Sequence, residues 1–299
     1  MTKGLQSSQI IHGCMRIGNL PISQASTLIR TALDVGINFF DHADIYGKGQ
    51  AEEVFGKAVK TTNISRDKLI VQTKCGIRPG LYDFSKKHIL ASVDASLKRL
   101  QMDYIDVLLL HRPDTLMEPE EVAEAFTRLE TSGKVRAFGV SNQSPLQMEL
   151  LSKSLDQALL FNQLQFSLVH TGMVDGGLNV NLQNNPAINR DGGVLEYCRL
   201  KDITIQAWSP LQHGFIEGVF LNNPQFAVLN EELATMAASK GVSSAALAIA
   251  WILRHPAQIQ PIVGTTNPQR LQDISTATTV QLSREEWYQL YRAAGNKLP

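Results

Sequence analysis

The chain has 299 residues, 43% of them hydrophobic, and its 28 Lys and Arg are matched by 28 Asp and Glu. Zero net charge argues against a sequence-independent grip on nucleic acid and against a polybasic membrane-surface protein, both of which need a cationic excess. No apolar run approaches the ~18 residues of a membrane span, residues 1–8 lack an apolar signal core, and Cys14, Cys75 and Cys198 form no CxxC pair. These features predict a cytoplasmic protein without a disulfide framework or a zinc site.

Short runs rich in Val, Ile and Phe alternate with amphipathic stretches, the cadence of a parallel sheet with helical crossovers. The first run covers residues 10–14. A helix is predicted over 22–35, with Ala25, Leu28, Ile29 and Ala32 on one face and Gly36 as its stop. The second run, 38–41, precedes a helix over 51–60, and the third is 69–74. Ser85 is placed to cap a helix carrying Ile89, Leu90, Val93, Leu97 and Leu100 on its inner face. The fourth run, 105–111, leads to a helix over 119–131 that opens on Pro119, and the fifth, 135–141, to one over 145–153. The sixth, seventh and eighth runs are 159–163, 204–208 and 260–263. Further helices are predicted over 194–200, 231–240, 244–255, 268–274 and 284–293. Eight strands, each followed by helix and with no linker between halves, predict one (β/α)8 TIM-barrel domain over residues 1–299 with long βα loops. The stretch 171–193, rich in Gly and Asn, is too long for an ordinary connection and reads as an excursion over one barrel face.

In such a barrel the chemistry lies where strands end and βα loops begin. The second strand ends at Asp41, with Tyr46 in the loop beyond; the third ends at Lys74 and the fourth at His111. Polar residues also close the later strands: Ser141 and Asn142, Gln163, Trp208 and Ser209, then Gly264, Thr265 and Thr266. A tyrosine titrates near ~10, and a neighbouring ammonium stabilises its phenolate. Lys74 is placed to lower the Tyr46 pKa in this way, Asp41 to keep the lysine charged, and His111 to orient a substrate oxygen. Each has a plainer reading as well: Asp41 as a cap, Lys74 as a solvated mouth charge, His111 as the start of a loop. Arg112 reads as a loop-packing residue, with steering of an acidic or polar substrate as its functional alternative.

The string Gly36-Ile37-Asn38-Phe39-Phe40-Asp41-His42-Ala43-Asp44-Ile45-Tyr46-Gly47 resembles the signature of the aldo/keto reductase superfamily, in the wording of a bacterial oxidoreductase branch. So do Lys74, the segment 103–106 leading to His111, the segment 133–136 leading to Ser141 and Asn142, Ala207-Trp208-Ser209-Pro210-Leu211, and 261–266 through Arg270. The resemblance implies an NADP(H)-dependent (β/α)8 reductase acting on a small-molecule carbonyl, with Asp41, Tyr46, Lys74 and His111 as its catalytic tetrad and Tyr46 as proton donor. It assigns Ser141, Asn142 and Gln163 to the nicotinamide carboxamide and Trp208 to the nicotinamide ring. Ser209 and Leu211 are assigned to the pyrophosphate cover, Gly264, Thr265, Thr266 and Arg270 to the 2′-phosphate region, and Asp273 to adenine. Two positions depart from the pattern: Gly264 stands where relatives often carry lysine, and Ile274 replaces a common asparagine. An intact tetrad also fits the family's NADPH-binding sensor subunits, which turn over little.

Overall fold

The computed structural model describes residues 6–298. Eight parallel strands close a barrel: β1 (Ile11–Gly13), β2 (Phe39–Asp41), β3 (Ile70–Cys75), β4 (Ile105–Leu110), β5 (Val135–Ser141), β6 (Leu159–Gln165), β7 (Thr204–Trp208) and β8 (Gln260–Val263). Each strand pairs with its sequence neighbours, and β8 closes on β1 through Ile11 opposite Ile262. The eight predicted strands and the barrel are therefore present as read.

The outer layer contains α1 (Ile22–Asp34), α2 (Gln50–Thr62), α3 (Lys86–Leu100), α4 (Pro119–Thr131), α5 (Pro145–Ser152), α6 (Gly172–Leu178), α7 (Val194–Leu200), α8 (Ala227–Lys240), α9 (Ser244–Leu253), α10 (Pro268–Ser275) and α11 (Arg284–Ala293). Their starts are written locally. Ser85 accepts from the His88 amide, and Ser144 with Gln147 and Ser283 with Glu286 form reciprocal capping boxes. α2 comes so close to the end of α3 that a Cβ on Gly56 would lie 2.3 Å from the Leu100 carbonyl oxygen. Among the described residues no single helix is long and apolar enough to cross a membrane.

Three elements differ from expectation. α8 starts four residues earlier than predicted, because Asn223 caps a turn at Pro224–Phe226 that runs straight into it, and Asn230 fastens that turn by donating to the Phe220 and Phe226 carbonyls. α9 stops at Leu253, short of the predicted 255, since Pro256 disfavours helical geometry at His255. The excursion has helical structure of its own. It contains α6, buries Met173 and Val174, and is tied sideways to the C-terminal helix by Tyr291 Oη donating to Asp175 Oδ1 at 2.6 Å.

The period of two along each strand divides the core. Between barrel and helices lies the large outer core, while Ile11, Phe39, Ile70, Val107, Leu109, Ala137, Phe161 and Ile262 fill the barrel interior. Continuing the inward positions in steps of two from that apolar plug reaches Asp41 on β2, Gln72 and Lys74 on β3, His111 beyond β4, Ser141 on β5, Gln163 on β6 and Gly264 beyond β8. Gln206 and Trp208 take the same places on β7. The site residues thus share one face because they share one parity.

Candidate active site

A polar layer rests on the apolar plug. Lys74 is fully buried, and its ammonium donates to Asp41 Oδ2 at 2.7 Å, the His42 carbonyl at 2.8 Å and Tyr46 Oη at 3.2 Å. All three donors of the ammonium are used, the condition under which a charge tolerates burial. The other oxygen of Asp41 accepts from the side-chain amides of Gln72 and Gln163, and both glutamines also donate to Gln206 Oε1, at 2.8 and 3.0 Å. Gln206 returns a bond to Gln72 Oε1 at 3.0 Å. The carboxylate that holds the lysine is therefore itself held from across the barrel.

Tyr46 opens a tight turn, Tyr46–Gly49, in which Gly47 and Lys48 both adopt positive φ. That turn swings the phenol back over the strand ends. Burial pushes the Tyr46 phenol above its ordinary value, and the Lys74 charge offsets only part of the rise. The expected net lowering is thus reversed: the phenol is kept protonated, and the ammonium stands ready for the phenolate. Burial alone would draw the Lys74 pKa down, but Asp41 and then Tyr46 outweigh it and leave the lysine above its usual value.

His111 extends β4, its amide donating to the Cys75 carbonyl at 2.9 Å, and its ring meets Tyr46 edge to face at 6.1 Å. Burial, then Lys74 and Arg112, hold its pKa well below the usual histidine value. At neutral pH it is an uncharged imidazole, suited to a hydrogen bond with a substrate oxygen and not to carrying the proton. Glu52 on α2 is fully buried, accepting from Arg99 Nε at 2.7 Å and Thr73 Oγ1 at 2.6 Å. Burial and then Glu52 raise the neighbouring Asp44 to about 7.

The expected cofactor residues line the adjoining strand ends. Ser141 Oγ donates to the Gln163 carbonyl at 3.0 Å, and Asn142, at φ 57°, donates to Ser141 Oγ at 2.7 Å and accepts from Trp208 Nε1 at 3.2 Å. These bonds join β5, β6 and β7 into one cluster. Gln163 differs in that its amide nitrogen turns inward to Asp41 and Gln206. Ser209 bonds Gln212, and Leu211 packs partly buried on the core. Thr265 Oγ1 accepts from the Asn267 amide at 3.2 Å, and Asn267 caps α10 by accepting from the Gln269 and Arg270 amides. Thr266, Arg270 and Asp273 lie exposed on that same rim, the last accepting from Gln269 Nε2 at 3.1 Å. Ile274 is 4% exposed and faces the core. At Gly264 the carbonyl accepts from Arg16 Nε at 3.0 Å, so a guanidinium from the β1 loop occupies the surroundings of the position where lysine is common.

Sequence reasoning missed Gln72, Gln206, Arg16 and Asn267. The first two carried a signal, a lone amide two residues before Lys74 and before Trp208 in otherwise apolar runs.

The Aldo/keto reductase family model matches residues 9–294. The oxidoreductase YcsN of Bacillus subtilis is 38% identical over 98% of this chain and 96% of its own length. A 6-dehydroglucose reductase of Agrobacterium fabrum is 35% identical over the same shares. Among solved structures, an aldo-keto reductase from Klebsiella pneumoniae in complex with NADPH aligns over all of this chain and 95% of its own, at TM-score 0.79 and 26% identity. With a match of this extent, the chain belongs to the aldo/keto reductase family.

Proposed function

We propose that the enzyme reduces a small aldehyde or ketone to its alcohol, with Tyr46 giving the proton to the carbonyl oxygen. The observation that carries this reading is the fully buried Lys74, whose ammonium is fixed between Asp41 at 2.7 Å and the Tyr46 hydroxyl at 3.2 Å. NADP(H) is the cofactor, and when bound it supplies the hydride that reaches the carbonyl carbon. The donor set suits it. Ser141 and Asn142 offer a hydroxyl and an amide for a carboxamide, Gln163 keeps its nitrogen on Asp41 and Gln206, and Trp208 presents a half-buried ring at the mouth. Arg270 makes no ion pair among the described residues and stands in the first turn of α10, where a phosphate is favoured.

Tyr46 Oη transfers its proton to the carbonyl oxygen as charge develops there, and the phenolate left behind lies against Lys74 Nζ. The uncharged His111 donates a hydrogen bond that orients the same oxygen. Asp41, clamped by Gln72 and Gln163, keeps the ammonium pointed at the phenol.

The test is oxidation of NADPH, followed by its absorbance, against a panel of aldehydes and ketones that includes the 6-dehydroglucose of the Agrobacterium relative's name. Tyr46→Phe is expected to lower kcat by about 10²–10⁴-fold while NADPH still quenches tryptophan fluorescence. Turnover retained at more than a few per cent would remove Tyr46 as the acid.

A further inference from the structure

We infer that Arg112 forms an oxyanion-recognition subsite at the mouth of the barrel, so that the preferred substrates are aldehydes or ketones bearing a carboxylate or phosphate. The inference rests on the carbonyl-reductase reading above and narrows its substrate class.

Arg112 follows His111 directly, at the end of β4. Its guanidinium carbon lies 5.7 Å from the centroid of Trp208 and 5.7 Å from that of Phe215, and those two rings meet edge to face at 6.2 Å. The side chain is half-buried, yet among the described residues its guanidinium makes no hydrogen bond and no ion pair. Other partly buried arginines behave differently: Arg66 pairs with Asp106 and Arg99 with Glu52. The acid closest in sequence, Asp114, gives its oxygens to the amides of Phe84 and Leu116, each at 2.9 Å.

Aromatic walls support a guanidinium through its charge and its flat faces, and leave its in-plane N–H groups free. Arg112 therefore presents a planar fork with no internal acceptor, in surroundings drier than bulk water. Its charge is felt at the reacting end of the site, since it helps to depress His111. The Lys74 charge is already matched by Asp41, whereas Arg112, next to His111, is a cation with no acidic partner among the described residues. A substrate whose carbonyl oxygen meets Tyr46 and His111 would extend its remaining groups past Trp208. A carboxylate or phosphate there completes a two-point, charge-assisted contact.

The test compares butanal with succinic semialdehyde, and glyceraldehyde with glyceraldehyde 3-phosphate, using the full chain and NADPH. The expected result is kcat/KM higher for the anionic member of one or both pairs by about 10- to 100-fold. The difference should lie mainly in KM and shrink as salt rises. The pair with the larger ratio separates carboxylate from phosphate as the group recognised. Arg112→Ala should bring the ratio close to one. Arg112→Lys should restore part of it, since a point charge lacks the fork. Arg112→Gln, close in size, serves if the alanine variant fails to fold.

Ratios near one in the unmodified enzyme, or ratios unchanged by these substitutions, would overturn the inference while leaving the reductase reading intact. So would a preference for glyceraldehyde over butanal as large as that for the phosphate, which would make hydroxyls the feature recognised. No turnover of any of the four compounds would count against the reductase reading itself, and the inference would fall with it.

Discussion

Replacing Asp41 by asparagine keeps the shape of the side chain and removes its charge, which isolates what the carboxylate does. In the native site Asp41 Oδ2 lies 2.7 Å from Lys74 Nζ, and its other oxygen receives two glutamine amides. The replacement amide offers one oxygen where Lys74 meets one carboxylate oxygen and both glutamines meet the other, so either the ammonium or the glutamine pair must face an N–H2 group. An ammonium left unpaired at this depth costs about 3–5 kcal/mol of stability. The lysine has one escape, which is to lose its proton. Burial draws it down and Asp41 is the largest influence holding it up, so Asp41→Asn lets burial win and lowers the Lys74 pKa, favouring the neutral amine. The phenolate of Tyr46 then has no cation beside it, and kcat falls by about 10²–10⁴-fold, the usual weight of general acid catalysis. Two measurements check this. Urea unfolding should show a lower midpoint with an unchanged m-value, and the pH–rate profile of Asp41→Asn should rise as pH falls, because acid recharges the lysine. Activity within a few-fold of the unmodified enzyme, together with an unchanged midpoint, would refute the reasoning.

Arg270→Ala should weaken NADPH binding by about 10- to 100-fold and NADH binding far less, if the guanidinium takes the proposed place at the 2′-phosphate that only NADPH carries; fluorescence titration with both nucleotides checks it. Acid stability follows from several shifted groups. Burial, then Arg16, holds His12 at about 4; burial, then Lys74, holds His42 at about 3; burial, then Arg199, holds His255 at about 4; and burial, then Lys74, holds His111 well below the usual value, so below ~6.5 the unfolded chain takes up protons that the native state refuses. Asp44, raised to about 7, opposes them, because the native state keeps its proton down to the ~3.9 at which the unfolded carboxyl regains one. The histidines outnumber it, so stability falls as pH drops from about 6.5 to 4. Asp44→Asn removes the opposing group and should steepen that fall by ~1.4 kcal/mol per pH unit in urea titrations at stepped pH.

The period of two and the rule that barrel chemistry sits at strand ends made most of this site legible before any coordinates. Asp41, Lys74 and Gln163 follow apolar runs, and their parity is fixed by Phe39, Ile70 and Phe161 in the plug. What stayed hidden depends on closure. Gln72 and Gln206 stand 134 residues apart and become partners only when β3 and β7 face each other across the lumen, and an uncharged amide inside an apolar strand carries no motif. The segment at α6 is rich in glycine, and its anchor, Tyr291, lies 116 residues away from Asp175. Local propensity cannot register such a tie.

The reversed titration of Tyr46 has the same origin. Sequence supplies the pair, a phenol and an ammonium, and pairwise attraction alone predicts a lowered pKa. The sign depends on depth, since desolvation disfavours the phenolate before any partner acts. Here the apolar plug below and Asp41 beside the lysine set that balance, so the ammonium's field is mostly spent on its own counter-ion while the phenol rests protonated. A donor of this kind transfers its proton only when the acceptor oxygen gains charge, as it does when hydride reaches the carbonyl carbon. On the mechanism proposed, the same dry layer that keeps the Tyr46 phenol protonated at rest would strengthen the pull of Lys74 on the phenolate at the moment of transfer.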